Sequence, residues 1–113
     1  MNIDEIYKHI KTNYPNLKIL IGSERLSIFD TDGYRCICRI IDDCDVCFNK
    51  YKQDGLVWSV QKNYKIPFSA CTLSTIDDGI KDYIYSWEKM LEFIKRCKIK
   101  NRLADMENVF IPQ

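Results

Sequence analysis

The first apolar residues of the chain recur at the spacing of one helical stripe: Ile3, Ile6, Tyr7 and Ile10. Asn2 stands in an N-cap position, and Glu5 follows three residues later, as in a capping box. Tyr14 precedes Pro15, and a proline disfavours helical geometry in the residue before it. The pattern predicts an amphipathic helix that ends near Asn13.

Between residues 17 and 71 the apolar residues alternate with polar ones in six short runs. These runs are LKILI (17–21), RLSIF (25–29), YRCICRII (34–41), VCFNKY (46–51), LVWSVQ (56–61) and YKIPFSAC (64–71). Turn residues separate them in GSE, TDG, DDCD, KQDG and KN. Period-two runs rich in β-branched and aromatic residues are typical of strands. We expect Asp32-Gly33 to form a two-residue hairpin turn and Pro67 to lie on an edge strand.

A second helical pattern follows the strands. We expect this helix to begin with Ser74 as its cap, Asp77 in the capping-box position and Asp78 in the first turn. Its apolar stripe continues over five turns: Ile76, Ile80, Tyr83, Ile84, Trp87, Met90, Leu91 and Ile94. This stripe should cover one face of the sheet, with Trp87 and Leu91 as anchors. Residues 1–113 are therefore predicted to form a single α+β domain, an antiparallel β-meander of four to six strands flanked by a short N-terminal and a long C-terminal helix.

Composition limits the classes of partner. The 113 residues carry a net charge of +1, so bulk electrostatics does not favour a long contact with a nucleic-acid backbone. We find no apolar run long enough to span a membrane, and the opening residues lack the pattern of a signal peptide. These features predict a cytoplasmic protein in which the cysteines are reduced thiols.

Four of the six cysteines lie in the stretch CICRIIDDCDVC, residues 36–47. Alternation predicts that Cys36 and Cys38 share one face of a strand, while Cys44 and Cys47 point to opposite faces. A structural zinc site needs four ligands that converge on one point, and this spacing is not a typical zinc signature. Zinc binding and a functional disulfide remain alternatives, but we expect buried thiols that pack as small hydrophobes, with no metal and no cofactor.

The sequence offers little catalytic chemistry. His9 is the only histidine and is expected on the exposed edge of the first helix. No serine, cysteine or threonine can be paired with a base, and no glycine-rich loop follows a strand. The adjacent acids Asp42 and Asp43 are expected in a turn. We therefore predict no catalytic residues and a protein that is not an enzyme.

The opening MNIDEIYKHIK and the order of small helix, β-meander and C-terminal helix resemble small phage-encoded inhibitors of bacterial defence, in particular type II-A anti-CRISPR proteins. The resemblance implies a non-enzymatic protein-binding inhibitor that acts on a bacterial defence nuclease in the host cytoplasm. Immunity proteins against toxins have the same size and the same lack of catalytic chemistry. Each of these classes works by occupying the surface of another protein.

The expected protein-binding residues lie in two connections. The first is the acidic turn with Asp42, Asp43 and Asp45 at a hairpin tip. The second is a connection that we expect to be exposed, from Tyr51 and Lys52 through Gln53 to Asp54. Acidic residues at such a tip would complement the arginines of a nucleic-acid-handling target.

The alternative is a nucleic-acid-binding module that uses the basic end of the C-terminal helix. Its candidate residues are Lys95, Arg96, Lys98, Lys100 and Arg102. Cations near a helix C-terminus also offset the helix dipole without any partner. The element order resembles the double-stranded RNA-binding domain as well, but the start of the second helix reads STIDDGIKD, where that family has a lysine-rich run.

Overall fold

The computed structural model of the protein describes the backbone of residues 1–110 and the side chains of residues 1–99. The elements are α1 (Ile3–Asn13), β1 (Lys18–Ile21), β2 (Arg25–Phe29), β3 (Cys36–Ile41), β4 (Asp45–Asp54), β5 (Val57–Pro67), a 3-10 turn (Phe68–Ala70) and α2 (Leu73–Phe110). All neighbouring strands pair antiparallel in the order β1-β2-β3-β4-β5. The predicted α+β meander with a short first helix and a long last helix is thus confirmed.

The first helix forms as its sequence predicts. The side-chain oxygen of Asn2 accepts the backbone N–H of Glu5 at 2.9 Å, which satisfies one of the free donors at the helix start. At the other end, the N–H of Tyr14 bonds to the carbonyl of Ile10 at 2.8 Å. The apolar stripe of α1 is buried against the sheet.

The last two predicted strands are one strand. Phe48 pairs with Tyr64 whereas the next residue, Asn49, pairs with Lys62, so Asn63 is an extra residue in β5. The dipeptide Lys62-Asn63, which was expected to be a turn, therefore lies within a β-bulge. The correction leaves five strands, and Pro67 ends the edge strand β5 as predicted.

The connection between β2 and β3 is longer than a two-residue turn and covers residues 30–35. Gly33 has φ 79° and donates its N–H to the carbonyl of Asp30 at 3.0 Å, whereas Asp32 does not have positive φ. The side chain of Asp32 instead accepts the N–H of Tyr34 at 2.9 Å. The predicted Asp32-Gly33 hairpin turn is wrong, because a tight turn of the expected type needs positive φ at both positions.

Both helices contribute to one core on the same sheet. The fully buried side chains of this core include Ile6 and Ile10 of α1, Phe48 of β4 and Ile76 and Ile80 of α2. Gly79 lets α2 approach the sheet closely, because a Cβ atom placed on it would lie 2.1 Å from Cδ1 of Phe48. The lack of a side chain at this position is therefore a packing requirement of the helix–sheet contact.

Helix α2 starts two residues earlier than a cap at Ser74 would place it. Thr72 Oγ1 accepts the N–H of Thr75 at 3.1 Å, and the carbonyl of Thr72 accepts the N–H of Ile76 at 3.1 Å. Thr72 is thus the N-cap, and the assignment of Ser74 as cap with Asp77 in the capping-box position is wrong. The Asp77 carboxylate instead contacts α1.

The predicted apolar stripe of α2 does not face the sheet over its whole length. Tyr83 is the last residue of the stripe that is fully in the core, whereas Trp87 is 40% exposed and Leu91 is 45% exposed. The physical reason is the direction of the side chains. Ser86 bonds to β4, Met90 packs against the core, and the ring of Phe93 lies 5.9 Å from that of Trp58 on β5. Trp87 and Leu91 therefore lie off the side of the helix that meets the sheet. The expectation that Trp87 and Leu91 anchor the helix is wrong, and Gly79 and Tyr83 lie at the contact instead.

The described chain measures 67 × 25 × 21 Å along its principal axes, so α2 projects well beyond the sheet. Despite its length, neither α2 nor α1 has, over the residues that are described, the sustained apolar character that would let it cross a membrane.

Candidate protein-interaction site

An acidic surface forms where two turns meet at one end of the sheet. The N–H of Asp42 bonds to the carbonyl of Glu24 at 2.9 Å, which holds the β3–β4 turn against the β1–β2 turn. Glu24 and Asp43 are exposed and Asp42 is half-buried. We call Glu24, Asp42 and Asp43 the acidic end.

The backbone of the β3–β4 turn presents its acids outward. The N–H of Cys44 bonds to the carbonyl of Ile41 at 3.1 Å, and Asp43 adopts φ 56°. Aspartate tolerates this left-handed conformation better than most residues because its short side chain can bond locally. The predicted position of Asp42 and Asp43 at a hairpin tip is therefore confirmed, while their role in binding stays a prediction.

Asp45 differs from the other two predicted acids. It is the first residue of β4, and its carboxylate lies 3.4 Å from the ammonium of Lys65 on β5. A half-exposed ion pair of this kind has a modest energy, but it reduces the charge that Asp45 can offer to a partner. Glu24, which the sequence analysis did not identify, resembles Asp42 and Asp43 more than Asp45 does, because it makes no ion pair within the described residues. A meander places its first and third turns at the same end of the sheet, and this topology is the signal that could have identified Glu24.

The second expected connection does not exist. Tyr51, Lys52 and Asp54 all lie within β4, and the turn itself consists of Gly55 and Leu56. Asp54 is exposed and Lys52 half-buried, but both lie at the opposite end of β4 from the acidic end, about 30 Å away. The structure therefore does not join the two predicted groups into one site.

Tyr51 is buried, with 5% of its surface exposed, so the expectation of an exposed aromatic anchor is wrong. The residues of β4 that follow Phe48 have no paired residue on β3, and α2 lies along this free edge. The N–H of Tyr51 bonds to Ser86 Oγ at 2.9 Å, and the tyrosine ring packs 5.4 Å from the ring of Tyr83. Helix α2 thus takes the place of a neighbouring strand.

The basic run is exposed on α2 as far as its side chains are described. Lys95, Arg96 and Lys98 are exposed, and Arg96 makes a hydrogen-bonded ion pair with Glu92 at 2.6 Å. The side chains of Lys100 and Arg102 lie outside the described residues. The described basic residues are at the far end of the molecule from the acidic end.

The cysteines do not share one environment. Cys38 and Cys71 are buried, Cys36 and Cys47 are half-buried, and Cys44 is exposed, so the prediction of a buried thiol is wrong for Cys44. A register shift at Ile28/Phe29 places both residue 37 and residue 38 in the buried layer, which breaks the expected alternation from Cys36 to Cys38. Burial raises the pKa of the Cys38 thiol well above its usual value.

Within the described residues, all six cysteines are free, and no group of three or more potential metal ligands comes together. The absence of a bound metal stays a prediction, as does the reduced state of the thiols.

A cleft of about 320 Å³ lies at the sheet end opposite the acidic end, between the α1–β1 connection, the β2–β3 connection and α2. Aromatic side chains form much of its wall: Tyr14, Tyr51, Tyr83 and Trp87. The described lining contains the carboxyls of Asp30 and Asp32 but no histidine, lysine or cysteine.

The carboxyl of Asp30 serves the fold from within this cleft. Its Oδ2 accepts the hydroxyl of Tyr83 at 2.8 Å, which ties the β2–β3 connection to α2. Burial raises the pKa of Asp30, and the neighbouring carboxyl of Asp32 raises it further. The hydrogen bond with Asp30 in turn lowers the pKa of Asp32.

The single histidine also links two elements. His9 Nε2 lies 2.8 Å from Asp77 Oδ1, and Tyr14 donates its hydroxyl to the same oxygen at 3.0 Å. His9 is half-buried at the α1–α2 contact, so its expected place on an exposed edge is wrong. Because Asn13 can donate to Nδ1 at 3.2 Å, Nε2 carries the proton that bonds Asp77.

Searches of protein-family models, of curated proteins and of solved structures find no match to this chain.

Proposed function

We propose that the protein is a non-enzymatic protein-binding inhibitor that acts in the cytoplasm on a nucleic-acid-handling target. The observation that carries the proposal is the acidic end, where a backbone hydrogen bond places Glu24 beside Asp42 and Asp43. The two turns that form this surface join β1 to β2 and β3 to β4 of the sheet. The target that we propose is a bacterial defence nuclease, in line with the resemblance of the opening segment and element order to type II-A anti-CRISPR proteins.

The physical basis is electrostatic complementarity. Proteins that handle nucleic acids neutralise phosphates with lysines and arginines, so their binding grooves are basic. An acidic surface on an inhibitor is attracted to such a groove, and the attraction accelerates association at low salt. The net charge of the chain is only +1, so this attraction depends on the local excess of acids at this end, which the exposed Arg25 partly offsets.

The alternative remains a nucleic-acid-binding module, and one observation favours it. Lys95, Arg96 and Lys98 lie exposed along a helix that extends beyond the sheet, where a groove or backbone could be reached. Phosphate contacts of this kind give binding that weakens steeply with salt.

A capture experiment separates the two functions. Immobilised wild-type protein is incubated with lysate from a bacterium that carries a type II-A system, with and without prior nuclease treatment. If the proposal holds, the defence nuclease is captured in both conditions. Capture that disappears after nuclease treatment, or after Lys95, Arg96 and Lys98 are changed to Gln, would support the nucleic-acid alternative.

The acidic end is tested in the same experiment with Glu24→Lys, Asp42→Lys and Asp43→Asn combined, because asparagine tolerates the conformation at residue 43. The matched control combines Asp54→Lys, Asp82→Lys and Asp78→Asn, which makes the same change in charge at exposed acids elsewhere. Loss of capture with the first variant and retention with the second is the expected result. Equal capture by both variants would contradict a role for the acidic end.

A further inference from the structure

The aromatic cleft between the α1–β1 connection, the β2–β3 connection and α2 has the properties of a small-ligand site. Its volume of about 320 Å³ falls at the lower end of the range for such sites, roughly 300–1,000 Å³. Tyr51 and Tyr83 are buried and form its base, whereas Tyr14 is half-buried and Trp87 is exposed. A ligand that enters the cleft therefore meets aromatic rings on several sides.

The charge of the cleft is negative. Its lining includes the carboxyls of Asp30 and Asp32 and, among the described residues, no lysine, arginine or histidine. Neither carboxyl makes an ion pair within the described part of the chain. Asp30 Oδ2 accepts the hydroxyl of Tyr83, whereas Asp30 Oδ1 is buried and has no hydrogen-bond donor among those residues. Burial raises the pKa of Asp30, as expected for a carboxyl without a compensating cation. The cleft therefore favours a cationic ligand.

Two bases lie near the cleft without lining it. Lys18 and Arg35 are close enough to attract the carboxylate of Asp32, but Asp32 is exposed and keeps access to solvent. The guanidinium of Arg35 lies over the ring of Tyr51, 5.6 Å from the ring centroid. One ring of the cleft thus already holds a cation against its face. The ring of Trp87 has no such partner among the described residues.

We propose that the cleft binds a small organic cation, in which an ammonium group carries an apolar body. The ammonium group lies between the carboxylate of Asp32 and the ring of Trp87, and the apolar body packs on Tyr14 and Ile84. Aromatic faces attract ammonium groups through the ring quadrupole, and the carboxylate adds the attraction of an opposite charge. The cleft lies at the opposite end of the sheet from the acidic end, so this site is independent of the proposed inhibition.

The residues of the cleft favour an organic cation over a metal ion. Calcium and magnesium ions need several oxygen ligands around them. In the described part of the chain no group of three or more potential metal ligands comes together. An alkylated ammonium ion instead gains from contact with aromatic and apolar side chains, which form most of this cleft.

Titration of the full chain with choline, followed by proton–nitrogen NMR, tests the proposal. The chain has two tryptophans, and Trp87 lines the cleft whereas Trp58 does not. The indole N–H signal of Trp87 should shift on binding, and that of Trp58 should stay in place. The dimethylbutanol in which a carbon atom replaces the nitrogen of choline has the same shape and no charge. It should bind at least about tenfold more weakly than choline.

Substitutions at exposed residues test the two contacts without disturbing the core. Asp32→Asn keeps an acceptor for the N–H of Tyr34 and should weaken choline binding at least about fivefold, whereas Asp54→Asn should leave it unchanged. Trp87→Ala should also weaken binding at least about fivefold, measured by calorimetry because the reporter is removed. Leu91→Ala, at an exposed residue of the same helix outside the cleft, is the control and should bind choline like wild type.

Two further probes distinguish the source of the ammonium group. Butylammonium represents a free amine, and a blocked tripeptide with a central lysine represents the side chain of a partner protein. Equal or tighter binding of the tripeptide would assign the cleft to a partner lysine, and tighter binding of butylammonium would assign it to a free amine.

Three results would overturn the proposal. The first is a Trp87 signal that does not move up to about 50 mM choline. The second is a neutral alcohol that binds as tightly as choline. The third is equal choline binding by Asp32→Asn and Asp54→Asn.

Discussion

The N–H of Tyr51 on β4 donates to the side-chain oxygen of Ser86 on α2 at 2.9 Å, in a buried contact. The hydroxyl of Ser86 in turn donates to the carbonyl of Tyr83 at 2.7 Å. The N–H of Tyr51 would otherwise be buried without a partner, and the helix supplies its acceptor.

The Ser86→Ala variant should lose this acceptor and leave the N–H of Tyr51 unsatisfied. We expect a loss of about 1–3 kcal/mol in the free energy of unfolding, which is the usual cost of a buried unpaired polar group. Urea denaturation measures it. Ser69→Ala, at an exposed serine, is the matched control and should change stability by less than about 0.5 kcal/mol. Equal stability of both variants would show that the Tyr51–Ser86 bond does not stabilise the fold.

Gly79→Ala should destabilise the protein although alanine is the better helix former. The added Cβ would lie 2.1 Å from Cδ1 of Phe48, and overpacking of this kind costs about 1–3 kcal/mol. That cost outweighs the gain of about 1 kcal/mol in helix propensity. Thermal unfolding checks the direction of the change. Phe48→Leu should raise the stability of the Gly79→Ala variant but should not raise that of the wild type. A more stable Gly79→Ala variant would contradict the close helix–sheet approach.

The start of α2 provides a third comparison. Thr72→Ala removes the oxygen that accepts the N–H of Thr75, and should cost about 1 kcal/mol. Ser74→Ala, at the exposed serine within the first turn, should be close to neutral. Denaturant midpoints of the two variants decide between the caps. A larger loss for Ser74→Ala would place the helix start where the sequence pattern alone predicts it.

Much of the architecture was predictable because it depends on local patterns. The Asn2 cap, the end of α1 and the alternation in β2 are set by neighbouring residues, and each forms as expected. The predictions fail where the structure depends on residues that are far apart in the sequence. The bulge at Asn63 depends on pairing with β4, and the burial of Tyr51 depends on helix residues that lie more than thirty positions later in the chain.

The candidate site shows the same division. That Asp42 and Asp43 form a turn follows from their own sequence, but their contact with Glu24 depends on the order of strands in the sheet. The position of His9 beside Lys8 predicts an exposed side chain, whereas its partner Asp77 lies 68 residues later in the chain.

Alkaline pH should destabilise the fold through Tyr14. Burial and the hydrogen bond to Asp77 raise the pKa of Tyr14 to about 12, above its usual value of about 10. A pKa that is higher in the folded state gives a stabilising contribution that is present below pH 10 and is lost as the pH rises from about 10 through 12. Burial also raises the pKa of Tyr83, which acts in the same direction.

Urea denaturation over this pH range measures the effect. Tyr14→Phe should reduce the loss of stability between about pH 10 and 12, whereas Tyr34→Phe, at an exposed tyrosine, should leave it unchanged. Identical pH dependence in wild type and Tyr14→Phe would show that the hydroxyl of Tyr14 is not held by Asp77.

The most direct test of the proposed function is inhibition of DNA cleavage by a purified, guide-loaded type II-A nuclease at low and at moderate salt. Wild-type protein should inhibit cleavage. The acidic-end variant with Glu24→Lys, Asp42→Lys and Asp43→Asn should inhibit at least about tenfold more weakly, most clearly at low salt. The control with Asp54→Lys, Asp82→Lys and Asp78→Asn should inhibit like wild type. No inhibition by wild-type protein, or full inhibition by the acidic-end variant, would contradict the account.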